Sequence, residues 1–228
     1  MVRMSTVPLP FRDRSEAGRM LGERLGRYLN RSDVVVLALP RGGIPVGAAL
    51  AKALNCELHA FLVRKLGVPW QPELAMGALA SGGMRLINHA VVGTLRIPET
   101  VVEAAVHREA QELARRDRLY RRGRPLPSLC DTIAIVTDDG VATGSSMMLA
   151  VQAIRQMGAV SVVAAIPVAP PGAVAQLRQV ANEVVCLAEP EEFAAVGEWY
   201  QDFHQLDDHE VCRLLDRNQD AGRQSMIA

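Results

Sequence analysis

Apolar residues along the chain keep two spacings, and the alternation between them predicts the architecture. Asp13-Arg14-Ser15-Glu16 places a cap acceptor three residues before a glutamate, and Ala17, Met20, Leu21, Leu25, Tyr28 and Leu29 then recur at helical spacing. This predicts an amphipathic leader helix over 13–30. Val34 to Leu39 is a continuous apolar run stopped by Pro40, the pattern of a strand buried on both faces of a parallel sheet. An Arg41-Gly42-Gly43 turn follows, then a predicted helix over Ile44 to Leu54 and a second strand over Leu58 to Val63, ending in Arg64-Lys65. From Leu66 to Gly83 glycines and prolines surround Trp70 and Gln71 without a sustained period. This predicts a long mobile loop, the core of a flexible region over 66–97 that suits an active-site lid.

Met84 to Ile87 reads as a short strand, and Pro98-Glu99 opens a long helix through Val102, Ala105, Val106, Ala110, Leu113 and Tyr120. Thr132 to Thr137 is a predicted strand, Asp138 to Thr143 a tight polar turn, and Gly144 to Met157 a helix closed by Gly158. A strand over Val160 to Val168, a helix from Pro171 and a strand over Glu183 to Leu187 complete a βαβαβ series. The expected fold is therefore α/β: one domain over 1–228, with an open, mainly parallel sheet flanked by helices. Residues 188–216 hold Glu-Pro-Glu-Glu-Phe, Gly-Glu-Trp-Tyr-Gln-Asp-Phe and a last short helix from Asp207, and read as a cap over the sheet. Residues 217–228 read as a frayed polar tail.

Composition narrows the function. A chain of 228 residues can bury a core without disulfides or metals. The 25 Lys+Arg balance 25 Asp+Glu, so no long-range field draws nucleic acid or an anionic membrane. Apolar runs such as Val160 to Ala169 fall far short of a membrane span, and Met1 to Pro8 lacks a signal-peptide core, which places the protein in the cytoplasm. Cys56, Cys130, Cys186 and Cys212 are scattered, as are the five histidines, so neither a disulfide framework nor a protein-built metal site is expected. The helix around Arg108 to Arg124 carries seven arginines against Glu109, Glu112 and Asp117. Its favoured reading is a solvated face with intrahelical ion pairs; the alternatives are an RNA patch or a subunit contact with the acidic segment 189–216.

Chemistry concentrates at predicted strand ends, where open α/β sheets bind ligands. Asp138 and Asp139 are adjacent carboxylates that suit a vicinal diol or a hydrated Mg²⁺. Ala142-Thr143-Gly144-Ser145-Ser146 enters a helix with three hydroxyls and a row of free amides suited to a phosphate. Gly42 to Gly47 is not Gly-x-Gly-x-x-Gly, and the second strand ends in Arg64-Lys65 where a dinucleotide fold needs an acid. No Gly-Lys-Ser/Thr exists, so a P-loop is also excluded.

Ile133 to Ser146 resembles the signature for 5-phosphoribosyl-1-pyrophosphate (PRPP) of the type I phosphoribosyltransferases: an apolar strand, two acids, a short turn and Thr-Gly-x-Ser/Thr. The chain is similar in detail to a bacterial group of phosphoribosyltransferase-like proteins of unassigned acceptor, sharing Leu-Pro-Arg-Gly-Gly, Val-Arg-Lys, Asp-Asp-Gly-Val-Ala-Thr-Gly and Ala-Val-Gly-Glu-Trp-Tyr-x-Asp-Phe. The resemblance implies that type I fold with a C-terminal hood, Mg²⁺-dependent transfer from PRPP to a nitrogenous base or related small acceptor, and a homo-oligomer, expected as a dimer. It implies that Asp138 and Asp139 bind the ribose hydroxyls and meet Mg²⁺ indirectly, through substrate oxygens or water. Ala142, Thr143, Gly144, Ser145 and Ser146 would cradle the 5-phosphate, Gly140 and Val141 would belong to the same PRPP-binding turn, and Arg41, Gly42, Gly43 and Lys65 would meet the pyrophosphate. Asp138, Asp139, Lys65 and Arg41 become the catalytic candidates, and Trp199, Tyr200, Asp202 and Phe203 the acceptor-binding ones. Ala142 stands where 6-oxopurine enzymes carry an acid, which argues against a hypoxanthine or guanine acceptor. A PRPP-sensing regulator and a hydrolase or accessory protein reusing the fold are the competing readings.

Overall fold

The computed structural model describes residues 9–225; residues 1–8, on which the N-terminal expectation falls, and 226–228, the end of the expected tail, lie outside the described residues. In chain order the elements are α1 (Arg14–Arg24), β1 (Val34–Ala38), α2 (Gly43–Leu54), β2 (Glu57–Ala60), β3 (Val63–Val68), β4 (Gln71–Ala80), β5 (Met84–Ile87), α3 (His89–Thr94), α4 (Glu99–Arg121), β6 (Ile133–Thr137), α5 (Ser145–Gln156), β7 (Ser161–Val168), α6 (Pro171–Val180), β8 (Glu183–Ala188) and α7 (Asp208–Ser225).

Five strands form a parallel sheet in the order β2-β1-β6-β7-β8. The period-2 alternation of a strand sends alternate residues to opposite faces. Val34, Val36 and Ala38 of β1 join a core with Ala17, Leu21, Val46, Leu50 and Leu215, whereas Val35, Leu37 and Leu39 join a second core with Ala150, Val151, Ile154, Val174 and Leu177. Helices α1, α2 and α7 thus cover one face, and α5 and α6 the other. This is the expected α/β sandwich, with strand ends open on one side.

Helix α1 starts where its signals predict: the Asp13 carboxylate accepts from Glu16 N at 2.7 Å, and Glu16 in turn accepts from Arg12 N at 2.6 Å. It ends at Arg24, followed by one 3₁₀ turn at Gly26–Tyr28. Gly18 and Gly22 let α1 lie directly on α2. A Cβ on Gly18 would overlap the Val46 carbonyl oxygen and stand 2.8 Å from Ala49 Cβ.

Three expectations need correction. The predicted mobile loop over Leu66 to Gly83 is instead mostly strand, because β3, β4 and β5 form a second, antiparallel sheet in that order. Its alternation was hidden by glycines placed for close backbone approach: a Cβ on Gly67 would come within 2.6 Å of Pro72 O, and one on Gly77 within 2.5 Å of Leu86 O. Leu66, Val68, Met76 and Ala78 are fully buried at every second position. The second strand also ends early, at Ala60. The run Phe61-Leu62 is apolar enough to look like continued strand, but the chain turns there into β3, with Leu62 N donating to Ser81 Oγ at 2.8 Å and Ser81 N to Leu62 O at 2.9 Å. Finally, the C-terminal helix is not short, and the residues read as the start of a frayed tail are helical to Ser225. Val211 and Leu215 are buried in the core, and Asn218 Nδ2 donates to Ala48 O at 3.3 Å, which anchors this helix to α2.

Gly18→Ala should lower unfolding free energy by about 1–3 kcal/mol, the range for overpacking against an unyielding neighbour. Urea denaturation followed by circular dichroism measures it, and an unchanged midpoint would contradict this seating of α1.

Candidate active site at the strand ends

Strand β6 is buried from Ala134 to Thr137, and the next two residues carry their carboxyl groups out of its end. Asp138 turns back on the chain, with its Oδ1 accepting from Asp139 N at 2.9 Å. Loss of water, and secondarily the neighbouring Asp139 charge, hold the Asp138 carboxyl well above the usual range. The loop after β1 is pressed against this turn: Leu39 N donates to Thr137 O at 2.9 Å and Gly43 N to Leu39 O at 3.0 Å. A Cβ at Gly43 would sit 2.9 Å from Asp138 Cα, and one at Gly42 would overlap the Asp139 carboxylate. Both glycines are therefore required by contact with the acidic turn, and the peptide between Pro40 and Arg41 is cis. Arg41 itself is exposed.

Beyond the acids, Val141 N donates to Val168 O at 2.9 Å, which fixes the turn to β7. Gly144 takes φ +80, a conformation that admits glycine readily, and α5 starts at Ser145 without a side-chain cap. Ala142, Thr143, Ser145 and Ser146 are all exposed, and the Thr143 and Ser145 hydroxyls lie 3.2 Å apart. An uncapped N-terminus on a twelve-residue helix, with hydroxyls beside it, suits an anion. Gly140 faces the hood, where its Cβ would meet Val196 at 2.5 Å.

The segment after β8 covers these loops. Phe11 and Tyr200 form a parallel bridge, with Phe11 N donating to Trp199 O at 2.9 Å and Gln201 N to Phe11 O at 2.8 Å. A cavity of about 440 Å³ lies beneath, lined by Arg14, Arg41, Gly42, Asp139, Phe203, His204, Gln205 and Leu206. Arg14 Nε donates to Asp139 Oδ2 at 2.9 Å, its Nη1 to His204 O at 3.1 Å, and its guanidinium lies 3.8 Å from the Phe203 ring centroid.

Among the predicted acceptor residues, Phe203 alone lines this cavity, and it is 37% exposed. Tyr200 is buried; its hydroxyl donates to the Asp139 carbonyl, and burial first, then the Asp139 charge, push its pKa up. Trp199 packs against Phe193 with ring centroids 6.3 Å apart, as a packing aromatic. Asp202 is exposed and bonds the His204 ring at 3.1 Å. Lys65 lies within β3, opposite Ala78, and not at the end of β2; it does not line the cavity. The residues missed in the sequence are Arg14 and His204. Arg14 sits in the first helical turn, where an arginine reads as solvated, and its signal lies only in the fold: a side chain 8% exposed.

Among the described residues no group of three or more His, Cys, Asp or Glu side chains could hold a metal. Asp138 and Asp139 offer carboxylate oxygens, one of them already engaged by Arg14. This donor set fits a hard cation that keeps most of its ligands from water and substrate. The arginine-rich α4 carries the expected ion pairs: Arg115 and Arg116 to Glu112 at 2.8 and 2.7 Å, and Arg121 to Asp117 at 2.6 Å. Arg122 meets Asp216 of α7 at 3.0 Å, so the acidic C-terminal segment answers this helix within one chain. No helix among the described residues is long and apolar enough to cross a membrane.

Fold and site together define an α/β protein in which paired acids and an uncapped helix start meet where parallel strands end. The phosphoribosyl transferase domain matches residues 14–202, and the chain belongs to that family. It is 46% identical over 207 residues to the "Putative phosphoribosyl transferase Rv0571c" of Mycobacterium tuberculosis (strain ATCC 25618 / H37Rv), covering 91% of this chain and 46% of that protein. The match to MT0597 of strain CDC 1551 has the same extent. The chain thus spans about half the length of the curated relatives it matches. The crystal structure of TT1426 from Thermus thermophilus is 41% identical, covers 91% of this chain and 98% of that one, and superposes with a TM-score of 0.82.

A folded-state pKa raised at Asp138 means that its contribution to stability is complete below its unfolded value, about 3.9, and is lost as pH rises through the folded value. Asp138→Asn keeps the acceptor for Asp139 N and removes the charge. The variant should therefore melt above the wild type at neutral pH, with the difference shrinking as pH falls toward about 4. Melting temperatures across that range test it, and a variant less stable at neutral pH would contradict the assignment. Gly42→Ala should expel the Asp139 carboxylate and lower stability by about 1–3 kcal/mol, as read by thermal unfolding.

Proposed function

We propose that this chain transfers a 5-phosphoribosyl group from PRPP to a nitrogenous base or related small acceptor and releases pyrophosphate. One observation carries the reading: in a member of this family, the paired acids after β6, the uncapped start of α5 and the glycine loop after β1 adjoin one another. In this reading Asp138 and Asp139 receive the ribose 2- and 3-hydroxyls, and the amides and hydroxyls of 142–146 receive the 5-phosphate. Arg41, Gly42 and Gly43 adjoin the pyrophosphate, with Arg41 as a charge at the cavity mouth. Lys65 enters only if β3 and β4 bring it closer.

The reaction breaks the bond from ribose C1 to the pyrophosphate oxygen and forms one from C1 to the acceptor, through an oxocarbenium-like state. The chain's residues act by holding C1 between leaving group and acceptor and by excluding water beneath the hood. Bound Mg²⁺ would offset the charge of the leaving pyrophosphate, with Asp138 and Asp139 near enough to hold its water shell. The exposed Phe203 ring, backed by the Arg14 guanidinium, forms the wall against which a planar acceptor would lie. A regulatory reading draws on the basic helix; the ion pairs of α4 favour its reading as a solvated, internally paired face.

Calorimetry with PRPP, with and without Mg²⁺, tests this reading. Binding should be Mg²⁺-dependent and fall by about 10- to 100-fold in the double variant Asp138→Asn with Asp139→Asn, since the charged hydrogen-bond acceptor at Asp139 is lost at roughly 1.5–3 kcal/mol. A wild-type protein that takes no PRPP would overturn it.

A further inference from the structure

Arg14 is the most constrained charged side chain near the cavity. It is 8% exposed, and its guanidinium meets two separate segments, the acidic turn and the hood. Nε reaches the Asp139 carboxylate, Nη1 reaches the His204 carbonyl, and the plane lies over Phe203. Two donors of one rigid plane aimed at two fixed acceptors leave that plane no rotation. Asp139 is in turn trapped. Its Oδ2 faces Arg14, its carboxylate rests on the Cα of Gly42, and its main-chain carbonyl accepts from the Tyr200 hydroxyl. Helix α1 brings Arg14 there, because Gly18 and Gly22 seat that helix on α2.

Stability alone accounts poorly for this arrangement, since a well-packed apolar pair commonly does as well as a buried ion pair. Asp139 is held by its side chain through Arg14, which also grips the hood at His204, and by its main chain through Tyr200, a hood residue. The orientation of Asp139 and the seating of the hood are thereby tied together.

We infer that Arg14 is a positioning residue that fixes the Asp139 carboxylate for the ribose hydroxyls and makes that orientation depend on the hood being seated. The inference rests on the PRPP reading above and adds to it a residue that acts on PRPP through Asp139.

Calorimetry with PRPP and Mg²⁺, extended to millimolar ligand, on wild type, Arg14→Gln, Arg14→Lys, Asp139→Asn and the double variants with Asp139→Asn tests it. Circular dichroism and melting curves establish that each is folded. Arg14→Gln should weaken PRPP binding by on the order of 10- to 100-fold, the usual effect of removing a group that orients a ligand-binding side chain. Arg14→Lys should fail to restore it, because one ammonium cannot supply two donors at the required angle. In the Asp139→Asn background, replacing Arg14 should change binding little, since its carboxylate target is gone. The lysine pair serves if the glutamine variant does not fold. Equal binding by wild type and both Arg14 variants would overturn the role of Arg14 and leave the PRPP reading standing. Full rescue by lysine, or losses at positions 14 and 139 that simply multiply, would do the same. A wild-type protein that binds no PRPP would overturn both.

Discussion

Two adjacent carboxyl groups at the end of a buried strand impose the constraint around which the rest of the site is arranged. Thr137 is still in the dry interior, so Asp138 and Asp139 cannot both be hydrated like surface acids. The chain resolves this asymmetrically. Asp138 folds back onto the Asp139 amide, and burial shifts it toward its neutral form, whereas Asp139 is met by a guanidinium. Each solution recruits a distant part of the sequence. The first needs the glycines after β1 to leave room, and the second needs an arginine 125 positions away. Features that look unrelated along the chain, such as Gly18, Gly42 and Tyr200, therefore answer to one electrostatic problem.

The same constraint explains why the hood is built from both ends of the domain. Phe11 precedes α1 and pairs with Tyr200, while Arg14 follows it by three residues and grips His204. The leader helix serves as the crosspiece between the acidic turn and its cover. Any movement of the hood must break contacts at Phe11, Arg14 or Tyr200, and two of these residues also hold Asp139. Packing and chemistry here share the same side chains.

The parallel sheet was legible in the sequence because its three central strands, β1, β6 and β7, are buried on both faces and read as unbroken apolar runs. Val34 to Ala38 and Ser161 to Val168 fall within a residue or so of expectation. The acidic turn and the start of α5 were legible too, since both are contiguous in sequence. Of the antiparallel sheet only β5 was, because Gly67, Pro72 and Gly77, which normally signal loops, serve in β3 and β4 as points of close strand approach. Its glycines carry no side chain to keep the alternation visible. Arg14 escaped for a different reason: its meaning lies in a partner 125 residues on, and nothing local separates a buried arginine from a solvated one. Aromaticity likewise could not rank Trp199, Tyr200 and Phe203. Which ring faces the cavity depends on the backbone path after the 3₁₀ turn at Val196–Trp199.

A net charge of zero suggests a site indifferent to anions, but the distribution of partners argues otherwise. Within α4, Arg115 and Arg116 are answered by Glu112 and Arg121 by Asp117, and just past its end Arg122 is answered by Asp216. Such exposed pairs add little stability and cancel each other's field beyond about 8–10 Å at physiological ionic strength. The attraction that remains at the strand ends comes from the uncapped amides of α5, fixed by the backbone, and from Arg41 at the cavity mouth. A potential of this kind is short-ranged and directional. It favours a compact anion presented end-on to the helix. Selectivity for a small phosphorylated ligand is therefore compatible with neutrality of the whole chain, because the charges that would broaden it are paired away from the site.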